Sequence, residues 1–323
     1  MHHRRFGRTG ARVSEIGLGL WGMGGWPDAD DRESAAALQL SADLGCTFYD
    51  SAWAYGRGKS DRLLGDLLAA RPQQRLFAAT KVPPRNGKWP ADPRDPYEAA
   101  FPHDHVIDYA QRCRDALRLE SIDLLQFHVW DDGWAAHPQF AATVAQLKDS
   151  GLIRHFGLSL NRWEPGNGVR AIRTGLVDAV QVIYNVFEQA PEDALFGACR
   201  EHDIGVIARV PLDEGSLAGG LTLQTRFPEG DWRAHYFGPE NLAATVERVE
   251  RLKELVPAGV TLAEMALRFI LSNDTVSTVI VGMRQERHVR ANLAGEAVRT
   301  LPAALIAQLR RHRWDRAPTP WSD

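Results

Sequence analysis

Short apolar runs alternate along the chain with longer segments in which apolar residues recur at helical spacing. The short runs predict buried β-strands, because a strand that is covered on both faces needs no polar side. Eight such strands are predicted, at 16–20, 47–50, 76–82, 122–127, 153–158, 179–183, 205–210 and 276–281. Helices are predicted at 32–44, 60–70, 105–119, 139–150, 169–174, 193–202, 242–255, 262–272, 287–294 and 303–312. A hairpin is predicted at 4–13, with a turn at Thr9-Gly10.

The strands and helices alternate regularly from one end of the chain to the other. This order, without a break in composition, predicts one α/β domain over residues 1–323, folded as a single (β/α)8 TIM barrel. The same pattern predicts an N-terminal β-hairpin before the barrel and extra C-terminal helices after it. A doubly wound parallel sheet is the main competing fold.

Three glycines in and just after the first predicted strand bear on the doubly wound alternative. Gly17, Gly19 and Gly22 have the spacing G-x-G-x-x-G of a dinucleotide-binding loop. That loop must open directly into a helix, whereas the residues that follow Gly22 read Met-Gly-Gly-Trp-Pro. We therefore interpret the glycines as a tight exit from the first barrel strand.

Composition and charge exclude several classes of protein. The chain is 44% hydrophobic with a net charge of −3, so neither a basic surface for nucleic acid nor a charged tail is indicated. No apolar run is long enough for a signal peptide or a membrane span. Cys46, Cys113 and Cys199 lack metal-type spacing and fit buried thiols in a reducing compartment. We expect a cytoplasmic protein that acts on a small molecule, and the sequence leaves its oligomeric state open.

Polar residues stand at the ends of three consecutive predicted strands. Asp50 ends the second strand and Tyr55 follows it, Lys81 lies near the end of the third, and His128 follows the fourth. The carboxyl ends of barrel strands meet at one rim, which is where barrel enzymes carry their active sites. We therefore expect these four side chains to lie together.

These four residue types suit proton transfer to a carbonyl oxygen. A free tyrosine has a pKa of about 10, and a nearby lysine cation lowers it by favouring the phenolate. An aspartate would hold Lys81 charged, and His128 would donate a second hydrogen bond. The set contains neither a nucleophile nor a group of metal ligands, so the hydride must come from a cofactor.

The residues around this set resemble the aldo-keto reductases, in particular bacterial NADP(H)-dependent members. The matching stretches cover nearly the whole chain: FGRTG at 6–10, IGLG at 16–19, DSAWAYG at 50–56, SDRLLG at 60–65, DLLQFH at 123–128, GLS at 157–159, VQ at 180–181, YN at 184–185, PL at 211–212, IVG at 280–282 and NL at 292–293. The resemblance implies a barrel that binds NADP(H) without a dinucleotide-binding fold. It also implies Tyr55 as general acid, Lys81 as the group that tunes its pKa, Asp50 as partner of Lys81, and His128 as the donor that orients the substrate.

The resemblance further implies a set of cofactor contacts. Ser159 and Gln181 match residues that bind the nicotinamide carboxamide, a task that Asn161 shares. Arg209 stands where many members have an aromatic ring stacked on the nicotinamide, and whether it stacks or pairs elsewhere is left open. The pyrophosphate would be bordered by Pro211, Leu212, Gly215 and Leu217.

The adenosine end differs from the usual pattern of the family. Gly282, Met283 and His288 hold positions at which many members have a lysine, a serine and an arginine. Arg284 is the nearby cation that would bind the 2′-phosphate, since a guanidinium binds phosphate in a bidentate way. Asn292 matches an adenine contact. NADP(H) is the expected cofactor, and NAD(H) stays as the alternative.

Tryptophans that follow strand ends are candidates for the substrate wall. Trp21, Trp53 and Trp130 are assigned to the pocket, although packing at the rim explains such rings equally well. Rings of this kind suit sugars, aromatic aldehydes and larger ketones alike, so they do not select among these substrates.

The predicted function is hydride transfer between NADP(H) and the carbonyl or alcohol of an aldehyde, ketone or sugar. One alternative is a low-turnover binding subunit that senses nicotinamide, and another is a sugar or polyol dehydrogenase working in the oxidative direction. A Schiff-base enzyme using Lys81 is disfavoured, because Asp50 would keep the lysine protonated.

Overall fold

The computed structural model describes residues 1–26, 29–293 and 300–316. Two short strands form an antiparallel hairpin at the start of the chain, β1 (His3–Arg5) and β2 (Arg12–Ser14), in the register His3 to Ser14. The barrel strands follow as β3 (Ile16–Gly19), β4 (Phe48–Asp50), β5 (Phe77–Val82), β6 (Ile122–Phe127), β7 (Ile153–Ser159), β8 (Ala179–Ile183), β9 (Gly205–Arg209) and β10 (Thr278–Gly282).

Helices surround these strands. They are α1 (Asp31–Asp43), α2 (Lys59–Ala70), α3 (Tyr97–Ala100), α4 (His103–Leu117), α5 (Pro138–Asp149), α6 (Val169–Arg173), α7 (Leu195–Glu201), α8 (Arg233–Tyr236), α9 (Pro239–Lys253), α10 (Leu262–Leu271), α11 (Glu286–Leu293) and α12 (Ala303–Arg310). The predicted helices are confirmed apart from shifted ends, and α3 and α8 are additional. Residue 294, the predicted end of one helix, lies outside the described residues.

The eight strands β3 to β10 close into a parallel barrel in chain order, with β10 paired to β3. The register at the closure pairs Val279 with Ile16. Every residue of β5 and of β8 is buried, as a parallel sheet covered on both sides requires. The barrel prediction is therefore confirmed, and the doubly wound alternative is excluded. Gly17 and Gly19 lie within β3, so they form no phosphate-binding loop.

The hairpin closes the amino-terminal end of the barrel. The ring of Phe6 meets the rings of Phe48 and Phe77 edge-on, with centroids 5.5 and 5.4 Å apart. Gly205 lies beneath this ring, and a Cβ atom there would lie 2.5 Å from Phe6 Cε2. Only glycine fits this contact, so the barrel is sealed at one end and opens at the other.

Burial of the three thiols agrees with the prediction from the sequence. Cys46, Cys113 and Cys199 are all buried and unpaired. Burial raises the pKa of Cys46 to about 11 and that of Cys199 to about 12, so both remain protonated thiols near neutral pH. Among the residues described, no helix combines the length and the apolar character needed to cross a membrane.

Candidate active site

A buried ion pair lies at the open end of the barrel. Lys81 Nζ donates to Asp50 Oδ2 at 2.6 Å and to the carbonyl oxygen of Ser51 at 2.7 Å. The lysine side chain is completely enclosed, and the aspartate nearly so. A lysine and a carboxylate in such a place require each other, because either charge alone would be costly away from water.

Asp50 has two further partners that hold its other oxygen. Gln181 Nε2 donates to Asp50 Oδ1 at 2.7 Å, and Gln126 Nε2 does so at 3.3 Å. The carboxylate is therefore fixed from strands β5, β6 and β8. Gln126 is a contributor that the sequence analysis missed, although it stands two residues before His128 in the matching stretch at 123–128.

Tyr55 lies against this ion pair. The distance from Lys81 Nζ to Tyr55 Oη is 3.5 Å. The loop that carries Tyr55 packs closely on the loop after β3: a Cβ atom on Gly24 would lie 2.8 Å from the backbone carbon of Tyr55, and one on Gly56 would lie 2.1 Å from the oxygen of Gly24. Gly56 also has a φ of +66°. Two glycines thus fix the phenol by main-chain contact.

The pKa of Tyr55 is raised rather than lowered. Burial is the largest cause, and the positive charge of Lys81 opposes it only in part. The predicted effect of Lys81 is present, since its charge lowers this pKa, but desolvation of the phenol outweighs it. Burial also acts against the charge of Lys81, but Asp50 and Tyr55 outweigh it and raise the lysine pKa. The site holds a neutral phenol beside a cation.

His128 faces the same cavity. Its ring centroid lies 5.5 Å from that of Tyr55 and 4.5 Å from that of Trp89, with both contacts edge-on. Burial, followed by the charges of Lys81 and Arg209, holds the pKa of His128 well below its usual value, so the ring is neutral at neutral pH. Its Nδ1 is buried and has no hydrogen-bond partner among the described residues. A neutral imidazole of this kind can hydrogen-bond to a bound oxygen.

One cavity of about 580 Å³ extends from this centre across the barrel mouth. Its lining includes Asp50, Tyr55 and His128 as well as Arg284 and His288. The residues expected at the cofactor that line it are Asn161, Gln181, Arg209, Pro211, Leu212, Gly215, Gly282, Arg284 and His288. One continuous space is thus lined by three of the four predicted catalytic residues and by most of the predicted cofactor contacts, while Lys81 is buried behind Asp50.

Three expected cofactor contacts are not in that lining. Ser159 is buried at the end of β7, beside Gln181 in the register of the sheet. The side chain of Leu217 is completely buried in the hydrophobic core, so only its main chain could border the pyrophosphate, and that assignment stays a prediction. Asn292 lies one turn beyond His288 on α11, and its side-chain amide donates to the carbonyl oxygen of His288 at 2.9 Å.

Arg209, the last residue of β9, lines the cavity. Its Nη2 donates to the carbonyl oxygen of Leu160 at 3.0 Å, while its buried Nε has no partner among the described residues. Burial, followed by the charge of Arg162, lowers the pKa of Arg209 to about 10, which leaves it charged near neutral pH. Arg162 is itself paired with Glu214, with Nη2 to Oε1 at 2.6 Å. The sequence analysis missed this pair, although both residues line the cavity.

Two of the three assigned tryptophans do not line the cavity. Trp21 does so, with 42% of its surface exposed. Trp130 is fully buried, and its Nε1 donates to Asp132 Oδ1 at 3.0 Å. Trp53 packs against the hydrophobic core and the ring of Tyr109. The pocket assignments of Trp53 and Trp130 are wrong, since both rings turn toward the helices rather than toward the barrel axis.

Other tryptophans form the wall instead. Trp26 and Trp232 approach Trp21 with ring centroids 5.0 and 5.6 Å away. Trp89, which is 45% exposed, stands on the opposite side against His128. These three rings lie outside the barrel strands, on loops whose sequences have no helical or strand periodicity.

The chain matches the model of the Aldo/keto reductase family over residues 15–313. It is 27% identical over 310 residues to the NADP(+) aldo-keto reductase yakc of Schizosaccharomyces pombe, covering 92% of this chain and 88% of the relative. It is also 27% identical over 307 residues to the NADH-specific methylglyoxal reductase of Escherichia coli, covering 89% of this chain and 91% of the relative.

A solved structure shows the same fold. The aldo-keto reductase of Klebsiella pneumoniae in complex with NADPH superposes with a TM-score of 0.70 at 23% sequence identity, covering 98% of each chain. The family match spans every strand of the barrel and all four residues gathered at its open end. The chain therefore belongs to the aldo/keto reductase family of oxidoreductases.

Proposed function

We propose that this chain is a single-domain enzyme that reduces the carbonyl group of an aldehyde, ketone or sugar with NADP(H), with Tyr55 as the proton donor. The observation that carries the proposal is the chain of contacts from Asp50 through Lys81 to Tyr55 at the base of the cavity, with distances of 2.6 and 3.5 Å. Such contacts would stabilise the phenolate that forms when Tyr55 gives its proton to a substrate inside an enclosed site.

The charges around Tyr55 support this direction of proton transfer. Burial keeps the phenol protonated until a carbonyl oxygen begins to gain negative charge. When the proton leaves, the phenolate forms next to the Lys81 cation, which is already in place and needs no rearrangement. His128, whose ring lies next to that of Tyr55, would offer a second hydrogen bond to the same oxygen. The phenolate of Tyr55 would therefore have the Lys81 cation beside it, and the substrate oxygen that gains negative charge would have hydrogen-bond donors in Tyr55 and His128.

A nicotinamide cofactor, when bound, would supply the hydride that these side chains do not have. The residues present fit such a group. Gln181 and Asn161 would hold the carboxamide, and Pro211, Leu212 and Gly215 would border the pyrophosphate. A Cβ atom on Gly215 or on Gly282 would meet nothing within 4 Å, so the main chain faces open space there. The yakc relative is named for NADP(+), and the Klebsiella structure contains NADPH.

Arg284 is the residue proposed to select the phosphorylated cofactor. Replacing it with alanine is expected to weaken NADPH binding by about 10- to 100-fold and to change NADH binding little, because a charge-assisted hydrogen bond contributes about 1.5–3 kcal/mol. The dissociation constants of both cofactors for Arg284→Ala and wild type would measure this. Arg290→Ala, on the exposed side of α11, is the matched control. Equal losses for NADPH and NADH would exclude the 2′-phosphate contact.

Turnover itself is tested with a panel of aldehydes, ketones and sugars followed by the absorbance of NADPH. Steady consumption is expected with at least one carbonyl class. The same panel is repeated with NADH, since one relative is named as NADH-specific, and with alcohols plus NADP⁺ for the oxidative direction. Tight cofactor binding without turnover across the panel would contradict the proposal and favour a sensing subunit.

A further inference from the structure

Arg209 faces the catalytic residues across the mouth of the barrel. The barrel order β10-β3-β4-β5-β6-β7-β8-β9 places β9, which ends in Arg209, four strands from β5, which carries Lys81. In a closed ring of eight strands, four steps is half of the circumference. A molecule bound at the centre of the barrel mouth therefore lies between Arg209 and the Lys81–Tyr55 contact.

The charge of Arg209 has no carboxylate against it. Its contact is the neutral carbonyl oxygen of Leu160, and among the described residues no Asp or Glu oxygen lies within 4.0 Å of its nitrogens. Its Nε is buried without a partner. A guanidinium held in this way keeps its full charge while lacking the counter-ion that buried arginines usually have.

The other cations of the centre each contact a carboxylate. Lys81 is matched by Asp50 with nitrogen and oxygen 2.6 Å apart, and Arg162 is matched by Glu214 at the same distance. Further out, Arg316 contacts both Glu188 and Asp213. Arg209 differs from these three cations in having no contacting carboxylate among the described residues, so a ligand beside it meets a positive charge that is not locally neutralised.

The side chains predicted for catalysis add no net charge beside Arg209. Burial raises the pKa of Tyr55 and holds the pKa of His128 well below its usual value, so both are neutral near neutral pH. Asp50 and Lys81 neutralise each other. A ligand between these residues and Arg209 therefore has the guanidinium as its nearest uncompensated charge.

We propose that Arg209 makes this site bind reduced nicotinamide cofactor more tightly than the oxidised form. The inference rests on the proposed function. A hydride donor must face a carbonyl carbon whose oxygen is held at Tyr55 and His128. In this proposal the donor lies on the Arg209 side of the mouth, across from the Lys81–Tyr55 contact. The oxidised ring carries a positive charge that the reduced ring lacks, so the guanidinium repels only the oxidised form.

This preference favours loading of the reduced cofactor and release of the oxidised one, and it also makes the bound cofactor a weaker hydride donor, because stabilising the reduced form raises the potential of the bound couple. The reduced cofactor is retained, and the oxidised product is released more readily, so it inhibits less. By linkage, each tenfold ratio between the two dissociation constants corresponds to about 30 mV in the potential of the bound two-electron couple. Arg209 is thus a specificity-determining residue for the redox state of the cofactor.

The test compares the dissociation constants of NADP⁺ and NADPH for the same protein, because their shared phosphates cancel in the ratio. Wild type is expected to bind NADPH at least about tenfold more tightly than NADP⁺. In Arg209→Met this ratio is expected to fall to near one, whereas in Arg209→Lys it stays. Arg112→Met, which removes an exposed cation from α4, is the matched control and keeps the wild-type ratio.

Each outcome of this comparison bears either on the inference about Arg209 or on the proposed function. A wild-type ratio near one overturns the inference regardless of how the variants fold. An unchanged ratio in Arg209→Met, or in Arg209→Gln if the first variant unfolds, overturns it as well. If wild type binds neither NADPH nor NADP⁺, it is the proposed function that fails, and the ratio is then undefined.

Discussion

Replacing Tyr55 with phenylalanine is expected to lower kcat for carbonyl reduction by about 100- to 10,000-fold, the range that a positioned general acid contributes. The change removes one oxygen atom, which lies 3.5 Å from Lys81 Nζ, and leaves the ring in place between Trp21 and His128. Cofactor affinity should not change, because Tyr55 is proposed to contact the reacting oxygen only. Steady-state kinetics and cofactor titration on the same preparation measure both quantities.

Tyr109→Phe is the matched control for this change. It deletes the same atom from a tyrosine on α4 whose ring packs against Trp53 and Arg112, away from the cavity. Its turnover should equal that of wild type. If Tyr55→Phe retained turnover close to that of Tyr109→Phe, the proton would have to come from elsewhere, and His128 would be the next group to test.

Replacing Lys81 with methionine is expected to affect stability and activity together. The variant leaves the Asp50 carboxylate buried without its cation, and breaking a buried pair in this way costs about 3–5 kcal/mol in the free energy of unfolding. Turnover should fall as well, because no positive charge remains to stabilise the phenolate of Tyr55. Chemical denaturation and steady-state kinetics measure the two effects.

A double variant separates these two roles of the lysine. In Lys81→Met with Asp50→Asn, the buried carboxylate is replaced by a neutral amide, so most of the lost stability should return. Activity should not return, since the cation beside Tyr55 is still absent. Full activity in the double variant would show that the pair serves only the fold. A single variant as stable as wild type would contradict the assumed cost of the unpaired carboxylate.

Three residues around the proposed acid, Tyr55, could be placed from the sequence because their positions depend on strands alone. Asp50 ends β4, Lys81 lies in β5, and His128 follows β6. Parallel strands in a closed barrel bring such positions to one rim whatever the loops do. The prediction needed only that each apolar run be recognised as a strand.

The wall of the cavity could not be placed in the same way. Trp130 follows a strand as closely as His128 does, yet its ring turns outward to a hydrogen bond with Asp132. Trp89 and Trp232 reach the cavity from long loops whose path leaves no periodic signal. Whether a ring after a strand turns toward the cavity or toward the helices depends on side-chain packing. The spacing of apolar residues does not predict that packing.

The pKa of Tyr55 is a second quantity that the sequence leaves undetermined. The sequence shows that Lys81 is near, which lowers the pKa, but the depth of burial decides the net direction. Arg209 is similar. Its place at a strand end was predictable, whereas its lack of a carboxylate partner depends on Glu214 having turned to Arg162. In both cases the outcome depends on the burial of the side chain and on which charged groups contact each other, and the sequence does not show either.

The division between strands and loops at this site has a consequence for how the enzyme can diversify. Asp50 and Lys81 are built into the barrel, whereas Trp21, Trp89 and Trp232 stand on connections outside it. A mutation in one of the connections that carry these tryptophans can therefore alter which molecule is admitted without loss of the buried Asp50–Lys81 pair or of the barrel. Substrate preference can thus change during evolution by single mutations in these connections. The barrel that holds Asp50 and Lys81 stays folded at each step.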